Sequence, residues 1–221
     1  MRRWPRLLKQ NPCLQLLLVQ LGGVVLYPFM GDSGAGRAAY SMFGILVLAL
    51  TVLALRATPA LTWVAVLIGL PAAGLLVATV VAGTPGLFSW SSAFESALYF
   101  YAGTSMLAYM LSDDQVTTDE LFAVPAVFTL FAWAFAYLFV VLQALDATSF
   151  GADGVHRSWM DLLFLSFTTL SSTGLSDITP YAPHARSVVM LEQLAGVFYI
   201  AMVVTRLVSL RAARREDRRQ R

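Results

Sequence analysis

The chain has very few of the residues that crosslink proteins or keep them soluble in water. Its 221 residues include a single cysteine, Cys13, so no internal disulfide can form. Charged residues make up 13% of the sequence and hydrophobic residues 58%, and the mean hydropathy is +0.69. The apolar fraction of soluble domains is roughly one half or below. The composition therefore excludes an ordinary soluble domain and predicts an integral membrane protein.

The sequence patterns of common catalytic sites are also missing. The chain has no glycine-rich phosphate loop, no metal-ligand spacing and no G-x-S-x-G nucleophile turn. We therefore expect no enzyme activity and no cofactor. Nucleic-acid binding is not expected either, because the basic residues that would carry it lie in a short tail tethered to a membrane.

Long apolar segments are abundant. A spanning helix needs about 20 mainly apolar residues, and six segments fit: 12–29, 38–55, 60–82, 93–111, 121–145 and 186–210. A further apolar segment, 158–171, is too short to cross and is typical of a buried re-entrant helix. The sequence thus predicts an all-α membrane protein with six transmembrane helices and one re-entrant helix.

Basic residues indicate the orientation of these helices. Arginine and lysine cluster before the first segment and after the last, and such clusters stay on the cytoplasmic side. Six spans then place both termini in the cytoplasm of a multi-pass cell-membrane protein. The basic tail, 211–221, is expected to contact anionic lipid. Voltage sensing is not expected, because a sensor needs repeated arginines along the fourth helix and segment 93–111 has none.

The most informative stretch is 165–180, which reads L-S-F-T-T-L-S-S-T-G-L-S-D-I-T-P. It resembles the pore helix, selectivity filter and outer mouth of tetrameric potassium channels. The runs W-M-D-L-L-F-L-S-F-T-T-L from Trp159 and A-R-S-V-V-M-L-E-Q-L-A-G from Ala185 are similar to the pore and inner helices of bacterial two-transmembrane-type ion-channel domains. The resemblance extends back to Val116.

This resemblance implies a division of the chain into three parts. Residues 1–115 form a four-helix membrane region, 116–210 a pore domain and 211–221 a basic cytoplasmic tail. Within the pore domain, 121–145 is the outer helix and 186–210 the inner helix. The resemblance also implies a homotetramer, in which four chains surround one pore.

The filter departs from the family pattern. Potassium channels have T-V-G-Y-G, where rings of backbone carbonyls replace the water shell of the ion, whereas this chain has Ser172, Thr173, Gly174, Leu175 and Ser176. The resemblance implies potassium contacts at the backbone carbonyls of the first four of these residues, with potassium as the permeant ion. Gly174 supplies the conformational freedom that turning carbonyls inward requires.

Two substitutions in the filter are expected to matter. Ser176 replaces a glycine with positive φ, where a residue with a Cβ atom is strained by about 1 to 2 kcal/mol. Leu175 replaces a tyrosine whose hydroxyl braces the filter, and leucine donates no hydrogen bond. We therefore expect altered or reduced potassium selectivity.

Other residues of the matching runs are expected to support the filter. By resemblance, Asp177 holds the filter through a bond to the pore helix and concentrates cations, and Trp159 belongs to the same support. Asp161 is either a second carboxylate near that site or the start of the pore helix, where negative charge is favourable. Glu192, an intramembrane carboxylate, is expected to bond near the pore helix. Gly196 is either a gating hinge or a site of close helix packing.

Three functional classes are open to a chain with these features. The first is a tetrameric cation channel, and the second is a non-conducting, channel-like membrane scaffold or sensor. The third, a secondary transporter, predicts inverted repeats with two broken helices, whereas one re-entrant segment is visible. His156 and His184 fall on predicted outer loops, where protonation would tune a pore mouth, although exposed histidines without clustered partners are more often incidental.

Overall fold

The structure, a computed structural model, describes residues 11–29, 34–55, 62–82, 86–112 and 118–220. These ranges consist of helices and their connections, without a strand, which confirms the expected all-α class for the described part of the chain. The helices in chain order are α1 (Pro12–Leu26, extended by a 3₁₀ turn at Tyr27–Phe29), α2 (Gly34–Leu55), α3 (Thr62–Ala82), α4 (Gly86–Ser112), α5 (Thr118–Leu145), α6 (Trp159–Leu170) and α7 (Pro183–Gln220).

Four helical segments within the described ranges are long and apolar enough to cross a membrane. They are Pro12–Phe29, Thr62–Thr79, Leu121–Leu145 and Pro183–Arg206. The predicted second span contributes a shorter apolar stretch, Met42–Leu55. Four of the six predicted spans are therefore matched, and the count of six stays a prediction.

α4, which contains the predicted fourth span, is long but less apolar. Its 27 residues extend about 40 Å. Polar side chains in its first half are buried against neighbouring helices: Ser91, Ser92, Glu95 and Ser96. The Ser96 hydroxyl donates a hydrogen bond to the carbonyl of Ala134 in α5 over 2.8 Å. These polar residues lower the hydropathy of α4, and their burial against neighbouring helices shields them from the surroundings.

α5 is the central helix of the chain. It packs against α1, α4, α6 and α7. Of Leu121–Leu145, 67% is buried, compared with 28% of Pro183–Arg206. Its fully buried large side chains include Leu130, Trp133 and Phe139. The first four helices and the last two are therefore joined chiefly through α5.

α7 leaves a broad apolar face exposed. Large hydrophobic side chains at three- and four-residue spacing are solvent-accessible in the single chain: Met190, Leu191, Leu194, Val197 and Phe198. Residues at this spacing lie on one side of a helix. Since α7 contacts α6 and α5 through its other side, this apolar face is left for lipid or for another chain.

Candidate ion-conduction site

The short helix α6 begins with a capping box. The Ser158 hydroxyl accepts a hydrogen bond from the backbone N–H of Asp161 over 3.2 Å, and the Asp161 carboxylate accepts one from the backbone N–H of Ser158 over 2.9 Å. This arrangement satisfies two N–H groups that a helix start otherwise leaves unpaired. Of the two roles expected for Asp161, the structure therefore shows the helix start.

Trp159 packs in an aromatic cluster at the beginning of α6. Its ring centroid lies 5.1 Å from that of Trp133 and 5.6 Å from those of Tyr27 and Tyr137. The filter segment follows the opposite end of the 12-residue helix, about 18 Å away along the axis. In the single chain its ring holds the helix start against α1 and α5, and the expected support of the filter by Trp159 stays a prediction.

The other end of α6 is closed by a Schellman motif. The Ser172 N–H donates to the Thr169 carbonyl over 3.0 Å, and the Thr173 N–H donates to the Thr168 carbonyl over 2.9 Å. Ser172, the first residue after the C-cap Ser171, has φ 59°, which lies in the left-handed region. Glycine is usual at this position because it has no Cβ atom.

The strain expected at Ser176 is therefore found four residues earlier. Among the described non-glycine residues, only Ser172 has a positive φ, so the expectation for Ser176 is wrong. Ser176 instead uses its hydroxyl to accept a hydrogen bond from the Ile178 N–H over 3.1 Å, which forms a local turn. A glycine has no side chain to make this turn.

The filter segment is exposed in the single chain. Ser172, Thr173, Gly174 and Leu175 are all exposed, and the Leu175 side chain is 76% accessible. Gly174 has φ 65°, the left-handed conformation that glycine adopts readily. The N–H groups of Thr173 and Gly174 both donate to the Thr168 carbonyl. The first part of the segment therefore turns back onto the end of α6.

Asp177 follows the filter segment and is exposed. Among the described residues its carboxylate makes no hydrogen bond to α6, so the expected brace from Asp177 to the pore helix is not formed. The neighbouring contact runs instead from Ser176 to Ile178, and Ile178 is the residue of this stretch that is buried. Asp177 is thus free to face solvent or a neighbouring chain.

Glu192 joins three helices at one point. Its side chain is fully buried and bonds to the hydroxyl of Ser166 in α6. The same hydroxyl lies 2.8 Å from the carbonyl oxygen of Ala132 in α5. The carboxyl group of α7 is therefore connected to α5 through a single serine of α6.

Gly196 lies one turn further along α7, against the end of α6. A Cβ atom added at Gly196 would lie 2.8 Å from the carbonyl carbon of Leu170, and closer still to the carbonyl oxygen. Such contacts are far below van der Waals distance, so no side chain fits here. Of the two roles expected for Gly196, close packing is what the structure displays.

Sequence reasoning singled out neither Ser166 nor Leu170. The available signal for Ser166 was a hydroxyl residue within an otherwise apolar stretch of α6, which requires a hydrogen-bond partner when it is buried. Leu170 contributes its backbone carbonyl, which no side-chain pattern reveals. The roles of both residues follow from the register of α6 against α7, which places Ser166 at Glu192 and Leu170 at Gly196.

The loop between α5 and α6 is tied to the start of α7. The Ser149 hydroxyl lies 2.9 Å from Nε2 of His184, and the Tyr181 N–H donates to the Ser149 carbonyl over 2.8 Å. His156 has a partner as well, because its Nδ1 lies 2.7 Å from the side-chain amide of Gln143. The two histidines therefore have partners that the sequence did not indicate.

Asp146 begins this loop directly after α5. Its carboxylate accepts hydrogen bonds from the hydroxyl and the backbone N–H of Thr148, over 2.7 and 2.9 Å. These bonds hold the pKa of Asp146 below its ordinary value of 3.8, with the hydroxyl of Thr148 as the larger cause. The ionised carboxylate therefore organises the first turn of the loop.

Comparison with known proteins agrees with this arrangement. No curated protein and no solved structure matches the chain significantly. Residues 126–211 match the model of a protein family described as "Ion channel". The match covers less than half of the chain, but it includes most of α5, all of α6, the filter segment and the apolar part of α7. It supports assigning this part of the chain to an ion-channel family.

Proposed function

We propose that the chain is the subunit of a homotetrameric, potassium-channel-like cation channel with altered or reduced selectivity. The observation that carries the proposal is the order of elements in 126–211, the region that matches the ion-channel family. There, a long buried helix is followed by a 12-residue helix, an exposed non-helical segment and a second long helix.

The short helix supports a re-entrant pore. About 18 Å of α6 cannot cross a hydrocarbon core of about 30 Å. Non-helical backbone at membrane depth is tolerated where it lines a water-filled cavity. We therefore assign the segment from Ser172 to Ser176 to the conduction path, with potassium passing the backbone carbonyls of Ser172, Thr173, Gly174 and Leu175. Asp177 then lies at the outer mouth, where its charge concentrates cations.

Exposure in the single chain supports a tetramer. One filter loop offers carbonyls from one side only, whereas a dehydrated cation requires several loops around it. The apolar face of α7 with Leu191, Leu194 and Phe198 is uncovered in the single chain. Four copies would place the filter loops around one axis and bury part of this face.

The first four helices complete a six-span topology with both termini in the cytoplasm. In this proposal α4 is no voltage sensor, since Gly86–Ser112 contains no arginine or lysine. The basic tail, 211–221, contacts anionic lipid, although its side chains lie outside the described residues. The chain performs no catalytic step and requires no cofactor.

Ion flux in reconstituted liposomes tests the proposal. Purified protein is compared under imposed gradients of potassium, rubidium and sodium, with Gly174→Asp as the control. We expect flux in the native protein and loss of flux in the control, because a carboxylate side chain at Gly174 would obstruct the path. The oligomeric state in mild detergent is measured in parallel, and a monomer would contradict the proposal.

A non-conducting membrane scaffold is the second candidate. The observation that favours it is the turn of the Thr173 and Gly174 N–H groups back onto the Thr168 carbonyl, which keeps the filter segment compact. Stable tetramers that pass none of the three ions at any tested pH or voltage would favour the scaffold.

A further inference from the structure

Ser166 occupies a position where one hydrogen atom has two acceptors. Its hydroxyl oxygen lies within hydrogen-bonding distance of the Glu192 carboxyl group and 2.8 Å from the Ala132 carbonyl oxygen. A serine hydroxyl donates one hydrogen bond and accepts others. The Ala132 carbonyl only accepts. Both contacts are hydrogen bonds at the same time only if Glu192 is the donor of one of them.

We infer that Glu192 carries a proton and that Ser166 is a positioning residue of the pore. The hydrogen bonds then run in one direction, from the Glu192 carboxyl O–H to Ser166 and from the Ser166 O–H to the Ala132 carbonyl. An ionised Glu192 has no hydrogen to donate, so the Ser166 O–H would donate its hydrogen bond to Glu192 instead of to Ala132. The oxygens of Ser166 and Ala132 would then face each other without a hydrogen between them.

The surroundings of Glu192 favour the neutral form. The side chain is fully buried, and its second carboxyl oxygen, Oε2, has no hydrogen-bond partner among the described residues. A buried carboxylate without a partner is far more costly than a buried neutral carboxyl group. Among the described residues, Ser166 is the one hydrogen-bond partner of the group.

No charged side chain of the described elements faces Glu192. From α6, the ionisable residue is Asp161, which is engaged in the capping box. From α5, Tyr137 packs towards Tyr99 and Trp159. Along α7, Arg186 bonds to Pro180 in the outer loop, and the Tyr199 hydroxyl donates to the Val124 carbonyl. Among the side chains that the structure describes on these elements, none places a compensating positive charge at Glu192.

The proton on Glu192 holds α6 between α5 and α7. The bond to Ser166 lies one turn before the contact of Gly196 with Leu170, so the two contacts fix the height of α6 along α7. Loss of the proton breaks the link to Ala132 and leaves the end of α6, and the filter that follows it, held from one side. We expect conduction to depend on this proton, an expectation that rests on the proposed function.

Infrared spectroscopy tests the proton itself. A protonated carboxyl group has a C=O stretching band that a carboxylate lacks, and this band shifts in heavy water. Glu95 is also fully buried, so the measurement uses Glu95→Gln as the background. We expect a band at neutral pH in Glu95→Gln and its loss in Glu95→Gln with Glu192→Gln. Absence of the band in Glu95→Gln would overturn the inference, whether or not the protein conducts ions.

Flux measurements test the positioning role. Ser166→Ala should lower the flux about tenfold, the effect of about 1.4 kcal/mol, whereas Ser166→Thr retains the hydroxyl and should restore it. Ser92→Ala is the matched control, since Ser92 is buried and, within the described ranges, its hydroxyl bonds only to the Phe88 carbonyl of its own helix. Equal flux in Ser166→Ala and Ser92→Ala would overturn the positioning role.

The pH profile separates this role from a merely structural one. Native flux should fall as the pH rises through the titration of Glu192. Glu192→Gln should remove this fall, because the amide N–H₂ donates to Ser166 at every pH. A Glu192→Gln protein with the native pH profile would contradict the inference. If no variant conducts, the proposed function fails, while the infrared band still decides the protonation of Glu192.

Discussion

Gly196 lies directly against the backbone carbonyl of Leu170, with no side chain between α7 and the last residue of α6. A Cβ atom at position 196 would lie 2.8 Å from the Leu170 carbonyl carbon and 3.0 Å from its Cα atom. One turn earlier, Glu192 bonds to Ser166. The two contacts are spaced four residues apart on both helices, so together they fix the register of α6 on α7.

Gly196→Ala should therefore displace the end of α6. The added methyl group meets backbone atoms rather than a movable side chain, and overpacking of this kind typically costs about 1 to 3 kcal/mol. We expect a lower unfolding temperature in detergent together with reduced ion flux. Thermal unfolding followed by circular dichroism measures the first effect, and the liposome assay measures the second.

Gly74→Ala in α3 is the matched control for this substitution. No atom lies within 4 Å of a Cβ atom added there. Alanine is favoured over glycine within a helix by about 1 kcal/mol, so this variant should be as stable as the native protein or slightly more so. If Gly196→Ala changes the flux while its unfolding temperature equals that of Gly74→Ala, Gly196 acts as a hinge rather than as a packing site.

Ser172→Gly should stabilise the end of α6. Ser172 has φ 59° at the position of a Schellman motif that usually holds glycine. Removing the Cβ atom relieves a left-handed strain of about 1 kcal/mol. We expect a higher unfolding temperature, measured as above.

Ser171→Gly is the counterpart on the neighbouring residue. Ser171 has φ −80° and ψ −3°, which is right-handed. Glycine gains nothing there, and the Ser171 hydroxyl bond to the Phe167 carbonyl over 2.6 Å is lost. A similar rise in unfolding temperature for both variants would show that the conformation of Ser172 is not the cause.

Features of the fold that depend on local sequence pattern were predicted from the sequence. Long apolar runs gave the helices, and the apolar run from Trp159 gave the short helix, because run length and composition are properties of the segment itself. The start of that helix was predicted as well, since the segment 158–171 begins one residue before α6 and Asp161 was one candidate for the helix start. The count of spans was harder to predict because polar residues lower the hydropathy of α4, and the sequence does not show that Ser91, Ser92, Glu95 and Ser96 are buried by other helices.

The arrangement of the pore residues depended on more than local pattern. The family pattern predicted a left-handed conformation at Ser176, whereas the helix end imposes it on Ser172 through hydrogen bonds to Thr168 and Thr169. Trp159 and the filter segment lie at opposite ends of α6 within one chain, so a contact between them depends on more than the run that they share. The pairing of Glu192 with Ser166 required the register of two helices that are distant along the chain.

The double substitution Leu175→Tyr with Ser176→Gly should raise the preference for potassium over sodium. Tyrosine adds a hydroxyl that can brace the filter, and glycine permits the positive φ that potassium channels use at this position. The ratio of potassium to sodium flux in liposomes is the measurement. Conductance that appears only in the double variant would show that the native pore does not conduct.

The single variants separate the two contributions. Ser176→Gly alone removes the hydroxyl that accepts from the Ile178 N–H, so it should loosen the turn at positions 176–178 without adding a brace. Leu175→Tyr alone adds the hydroxyl while Ser176 keeps its turn. An unchanged flux ratio in all three variants would mean that positions 175 and 176 do not determine selectivity.

Asp146 should make the stability of the loop between α5 and α6 depend on pH. Its folded-state pKa lies below the ordinary value of 3.8, because Thr148 donates two hydrogen bonds to the ionised form. The stabilisation is therefore present at pH above 3.8 and is lost as the pH falls through the lower folded-state pKa.

Asp146→Asn should lower the unfolding temperature slightly at neutral pH and should leave it unchanged at pH values below the folded-state pKa. Thr148→Val keeps the backbone N–H donor to Asp146 but loses the hydroxyl donor. At neutral pH it should therefore lower the unfolding temperature by less than Asp146→Asn does. An equal decrease at neutral and acidic pH would show that the charge of Asp146 does not stabilise the loop.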